Sequence, residues 1–154
     1  MKIIAVIPAR SGSKSLKNKN IHFYKNKPLI YHSIKLAQRS KYIDRILVTT
    51  DSKKYMEISK KFGAEVPFLR PKKISKDNST DLEWAKHLVK YLKKAENYSA
   101  DLIVHLRPTT PNRNLIIFNN GIKFFLKNFK KVNGMRSISE MNQPPQKMFM
   151  IKKN

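Results

Sequence analysis

The sequence predicts an α/β protein of three layers, helix on sheet on helix, with a mostly parallel sheet. Three observations carry that expectation. Short apolar runs of strand length alternate with segments of helical period along the whole chain. The clearest runs are continuously apolar, as strands buried on both faces are. Polar loops of unusual chemistry follow several of these runs, which is where open parallel sheets place their ligands. Strands joined through helices in this way imply right-handed crossovers.

The elements follow in order. Lys2 to Ile7 is an apolar run stopped by Pro8, which reads as a central strand. Residues 9–27 are polar and aperiodic, so they form a long loop. Pro28 suits a first helical turn, and Leu29, Ile30, Ser33, Ile34 and Ala37 carry a helix to about Arg39. Asp44 to Thr50 is the second strand. Asp51-Ser52 caps the next helix, which bears Tyr55, Met56, Ile58, Ser59 and Phe62 and stops at Gly63. Glu65 to Leu69 reads as a third strand, followed by a polar loop over 70–79. A helix runs from about Thr80 to about Ala95, with Leu82, Ala85, Leu88, Val89 and Leu92 as its apolar face. Asp101 to Leu106 is the fourth strand, ended by Pro108 and Pro111. A helix over about 113–128 bears Ile116, Ile117, Phe118, Phe124 and Phe125. Val132 to Ser139 reads as a fifth strand, and Met148 to Ile151 begins another.

Composition narrows the function. With 154 residues and 40% hydrophobic side chains, one domain can bury a core. No cysteine is present, which removes disulfides, zinc–thiolate sites and thiol catalysis. Lys and Arg number 33 against 10 Asp and Glu, a net charge of +23. A polyanionic partner is one explanation. The lysines, however, fall in scattered pairs such as Lys53-Lys54, Lys72-Lys73 and Lys130-Lys131, with no block of like charge and no aromatic interleaving. That distribution favours solvated surface lysine over a nucleic-acid footprint. No run approaches the roughly 18 apolar residues of a membrane span. The start, Met1 to Ile7, is interrupted too early by Pro8 and Arg10 for an export signal. A cytoplasmic protein is therefore expected.

The chemistry concentrates after the first strand, in Pro8-Ala9-Arg10-Ser11-Gly12-Ser13-Lys14, continuing to Lys19-Asn20. Small residues let the backbone approach a ligand, and successive N–H groups can cradle an anion. Arg10 offers a two-pronged guanidinium for phosphate and Lys14 a mobile point charge. The loop lacks GxxxxGK[ST] and has one glycine, so it is neither a Walker loop nor a dinucleotide fingerprint. A polyphosphate site is the reading. His22, His32, His87 and His105 show no ligand spacing and read as structural. Asp51 reads as a helix cap, Asp77 as a loop carboxylate and Trp84 as helix packing.

Ile7-Pro8-Ala9-Arg10-Ser11-Gly12-Ser13-Lys14, with Lys19-Asn20-Ile21, resembles the signature of the acylneuraminate cytidylyltransferases, or CMP-sialic acid synthetases. Four later segments resemble theirs in register: Ile46 to Asp51; Leu69-Arg70-Pro71 with Ser75 to Leu82; Leu106 to Arg113; and Arg136 to Ile138 with Pro145 to Phe149. The resemblance implies a Rossmann-like, GT-A-type nucleotidyltransferase fold in a single domain over 1–154. It implies an enzyme that joins CTP to a 2-keto-3-deoxy sugar acid, N-acetylneuraminate or a related nonulosonate, and releases pyrophosphate. Arg10 and Lys14 would be the catalytic cations. Arg10, Ser11, Gly12, Ser13, Lys14, Lys19, Asn20, Arg70, Ser79 and Asp81 would meet the nucleotide. Arg107, where relatives commonly carry Gln, would meet the acidic sugar. Mg2+ is implied as cofactor. The family is homodimeric and its chains run longer. The dimer segment and metal ligands are thus expected beyond residue 154, with turnover by this shorter chain in question. Two other readings stay open: a nucleotidyltransferase using another NTP and a sugar phosphate, and a non-enzymatic basic nucleic-acid-binding protein.

Overall fold

A computed structural model describes residues 1–14 and 16–138. Strand β1 (Ile3–Pro8) is the centre of a three-stranded parallel sheet, flanked by β4 (Arg45–Thr49) and β5 (Leu102–His105) in the order β4-β1-β5. Ile4 pairs with Arg45 on one side and with Ile103 on the other. The alternation of side chains along β1 then builds two cores. Ala5 and Ile7 face α1 (Leu29–Gln38) and α2 (Lys53–Lys61), where Ile30, Ile34, Val48 and Tyr55 complete the packing. Ile4 and Val6 face α3 (Asp81–Glu96), meeting Leu47, Trp84, Leu88 and Leu92. Phe118, on α4 (Leu115–Lys127), packs on the first of these cores. The three layers expected from the sequence are therefore present.

Local chemistry sets the boundaries. The Ser52 hydroxyl caps α2 by accepting from the Tyr55 N–H. Gly63, at φ +86°, ends that segment, and a Cβ there would come within 2.6 Å of Gln38 Nε2. Glu83 accepts from the Thr80 N–H at the start of α3, and Asn97 leaves its end in the left-handed region. Asn114 caps α4.

Several expectations are corrected. The loop over 9–27 contains a one-turn helix at Lys19–Ile21 and a small hairpin, β2 (Phe23–Tyr24) against β3 (Lys27–Pro28). Lys25 and Asn26 both take positive φ between its strands, the tight turn that twists with a hairpin. Residues 65–69 do not form a strand; they make two isolated parallel bridges, Leu47 with Glu65 and Thr50 with Leu69. Glu65 donates to the Ile46 carbonyl and accepts from the Val48 N–H. The next donor in that alternation falls on residue 67, which is proline and has none. On α3 the buried stripe is Trp84, Leu88 and Leu92, whereas Leu82 is 60% exposed and Val89 is also exposed. On α4, Ile122 and Phe125 turn inward while Ile116, Ile117 and Phe124 face outward. Residues 132–138 form no strand, consistent with Asn133-Gly134 inside them, a turn dipeptide. Met148 to Ile151 lies outside the described residues.

The topology places a site. From β1 the chain passes to β4 on one side, then returns to β5 on the other. The direction of winding reverses between β1 and β5, and the loops leaving their carboxyl ends part there to form a crevice.

Candidate functional site

That crevice is a pocket of about 190 Å3. The loop after β1 contributes Pro8, Arg10, Ser13, Lys19 and Asn20; the loop before α3 contributes Arg70 and Ser79. The first turn of α3 adds Asp81 and Trp84, and the loop after β5 adds Arg107, Pro108 and Thr109. Of the residues expected from the sequence, Arg10, Ser13, Lys19, Asn20, Arg70, Ser79, Asp81 and Arg107 meet here, although up to 97 positions separate them. Ser11, Gly12 and Lys14 lie on the same loop but outside the lining.

The first loop is held from below. Ser11 donates its N–H (2.8 Å) and its hydroxyl (2.9 Å) to the two carboxylate oxygens of Asp51. Asp51 is therefore the loop's anchor, and Ser52 rather than Asp51 caps α2. The Gly12 carbonyl accepts from Arg10 Nη1 at 2.8 Å. Asn20 is buried, and its amide donates to the Arg10 carbonyl at 3.0 Å. The backbone of Arg10 is thereby fixed while its guanidinium reaches across the loop. That guanidinium meets Asp77 at 2.6 Å, and Lys14 Nζ meets the other Asp77 oxygen at 2.9 Å. Lys14 first, then Arg10, hold the Asp77 carboxyl below its ordinary range.

Arg70 is only 5% exposed. Its Nη2 donates to the Thr49 carbonyl at 3.0 Å, and its Nε has no partner among the described residues. Burial pulls its pKa down, yet a guanidinium stays charged under such a shift. A buried cation on a pocket wall is suited to an anionic or acceptor-bearing ligand. Ser79 closes a turn by accepting from the Lys76 N–H at 3.0 Å.

Opposite, Asp81 accepts from the Trp84 indole N–H (2.9 Å) and from Arg107 Nη2 (2.7 Å). Burial works against its ionisation, but these two donors outweigh it and leave the carboxyl below its usual range. The Arg107 carbonyl is itself held: Arg113 Nη2 donates to it at 2.9 Å, and Arg113 Nη1 reaches Ser33 on α1 at 3.2 Å. Sequence reasoning missed Trp84, Asp77 and Arg113 as parts of the site. Asp81 and Trp84 stand three apart on one helix face, a spacing that pairs side chains, so Trp84 had a signal. His32 bonds the Tyr24 carbonyl at 2.9 Å through Nε2, a structural role as expected.

A divalent cation would need one or two carboxylates besides substrate oxygens. Among the described residues no three His, Asp or Glu side chains converge as a metal-binding group. Asp51, Asp77 and Asp81 are each committed to donors, so the described residues do not present a ready cation site. Nor is any described helix long and apolar enough to cross a membrane.

Comparison with known proteins adds to the geometry. The family profile described as "Cytidylyltransferase" matches residues 4–111. An N-acylneuraminate cytidylyltransferase of Escherichia coli is 34% identical over 145 residues, 94% of this chain and 33% of that protein. A pseudaminic acid cytidylyltransferase of Campylobacter jejuni is 32% identical over 154 residues, 100% of this chain and 65% of that protein. The chain thus spans between a third and two thirds of these relatives' length. Among solved structures, a CMP:2-keto-3-deoxy-manno-octonic acid synthetase complexed with CTP superposes with a TM-score of 0.66 at 21% identity, over 83% of this chain and 48% of that one. This last likeness speaks for the fold.

Proposed function

The chain belongs to the cytidylyltransferase family, and on that premise we propose that it binds CTP in this pocket and transfers CMP to a 2-keto-3-deoxy sugar acid. The observation that carries the reading is the convergence of Arg10, Lys19, Arg70 and Arg107 on one crevice at the carboxyl ends of β1 and β5. Arg10 and Lys14 take the triphosphate, helped by Ser13. Arg70, Asn20 and Ser79 take the nucleoside; cytosine offers a carbonyl oxygen and a ring nitrogen as acceptors, which a buried guanidinium donor suits. Arg107 faces the carboxylate of the acidic sugar, and Asp81 with Arg113 keeps it aimed.

The anomeric hydroxyl of the sugar attacks the α-phosphorus. The bond from that phosphorus to the bridging oxygen breaks, and pyrophosphate leaves. The protein's part is positioning and the neutralising of charge on the leaving group. Mg2+ accompanies the nucleotide in this proposal, and no described residue is assigned to hold it.

Titration of the chain with CTP, UTP and GTP tests the nucleotide half. CTP is expected to raise the melting temperature more than the other two; equal shifts would overturn base selectivity and favour a different NTP. Pyrophosphate release with CTP, Mg2+ and N-acetylneuraminate or another nonulosonate tests the transfer. Arg10→Ala is expected to weaken CTP about tenfold or more, the usual scale for charge-assisted bonds of ~1.5–3 kcal/mol.

A further inference from the structure

The proposed polyphosphate subsite is already engaged by an anion of the chain itself. Asp77 bridges Arg10 (2.6 Å) and Lys14 (2.9 Å), the two cations assigned above to the triphosphate. Its carboxylate uses one oxygen for each, much as a phosphate group would. It comes from a different segment, the turn ahead of α3. That turn is closed at its base by Lys76 and Ser79, which bond each other's backbone and hydroxyl, and Ser79 lines the nucleoside side of the pocket. Asp77 therefore sits at the tip of a short turn with a fixed base.

The bridge is built to exchange. The Lys14 side chain is 83% exposed, and Arg10 and Asp77 are each about a third exposed. Ion pairs so open to water are weak and give way to a better partner. The pair Arg45–Glu96 makes the contrast: it lies away from this pocket, and Arg45 also bonds Glu65, with the same guanidinium packed over the Tyr98 ring.

We propose that Asp77 is an internal competitor for the polyphosphate, so that nucleotide binding and pyrophosphate departure are exchanges of one anion for another. The inference rests on the reading of Arg10 and Lys14 as triphosphate ligands. With Asp77 in place, both cations are engaged and half of their charge is offset. A ligand binds only the fraction of molecules in which the cations are released, and its apparent affinity is reduced by that fraction. The reduction applies to every ligand that needs these two cations. It does not apply to one that uses the nucleoside contacts alone. Asp77 thus limits how tightly bare polyphosphates hold the site, and it re-forms its bridge as pyrophosphate leaves.

Calorimetric titration of the full chain with CTP, inorganic tripolyphosphate and cytidine tests this. Asp77→Asn keeps the shape and removes the charge. It is expected to tighten CTP and tripolyphosphate by the same factor, roughly threefold to tenfold, and to leave cytidine unchanged. Asp77→Glu, which restores an anion, is expected to bind as the wild type does. Should wild type bind CTP while Asp77→Asn binds it equally or more weakly, the inference fails and the nucleotide reading stands. Should wild type bind neither CTP nor tripolyphosphate, the nucleotide reading fails and takes the inference with it. Asp77→Ser provides a second neutral variant with the same expected tightening, and a melting curve for each variant establishes that it is folded.

Discussion

Arg70 and Asp81 show how two charged residues in one pocket are treated differently by their surroundings. Arg70 is a buried cation lining the pocket, so its removal is expected to act on the nucleoside. Arg70→Ala should weaken CTP and cytidine together and leave inorganic tripolyphosphate untouched, measured by the same titrations. Asp81 is held ionised by Trp84 and Arg107, which overcome the cost of burial. A carboxyl whose folded pKa lies below its ordinary 3.8 contributes stability that is complete above that value and is lost as pH falls through the folded pKa. Melting temperatures of wild type and Asp81→Asn should therefore differ near neutral pH and converge as pH falls below about 4. The first loop, Arg70 and Arg107 were legible because each follows a strand or a strand-like run. Asp77, Trp84 and Arg113 were less so. The partners of Asp77 and Arg113 are brought by the fold from residues such as Arg10 and Ser33, at separations that no local period reports.

Among the elements, β1, β4, β5 and the four helices stood out in the sequence because their apolar patterns are long. What failed was part of two faces: Leu82 and Val89 on α3, and Ile116, Ile117 and Phe124 on α4, turn outward. On α3, Ala85, Leu88 and Leu92 face the core as expected, but Trp84 joins them in place of Leu82 and Val89, with a hydrogen bond to Asp81. Leu88→Ala is accordingly expected to cost about 2–5 kcal/mol in denaturant unfolding, a large-to-small change in a closed core. Leu82→Ala, at a position expected on the same face but 60% exposed, should stay within about 0.5 kcal/mol. The segment over 65–69 failed for another reason: its apolar residues suit a strand, but one proline removes the donor that would extend the ladder.

For the molecule as a whole, the charge of +23 is far larger than the pocket needs. Arg10, Lys14, Lys19, Arg70 and Arg107 have a proposed polyanion to meet, and most of the remaining lysines are solvated surface. Such an excess repels itself in the compact state. Raising ionic strength to the physiological range, where the screening length is about 8 Å, should therefore raise the melting temperature while weakening CTP. A melting temperature that falls with salt would instead mean that ion pairs dominate the surface.

The order β4-β1-β5 also bears on how the chain is made. Of these three strands the central one is made before its two neighbours, and Ile3 pairs with Leu102 only once β5 is made. At translation rates of about 5–20 residues per second, some 3–10 seconds pass between the emergence of β4 and that of β5. Throughout that interval the most apolar strand of the nascent chain has one edge covered and the other open. That open edge exposes unpaired backbone N–H and C=O groups to other chains until β5 covers it.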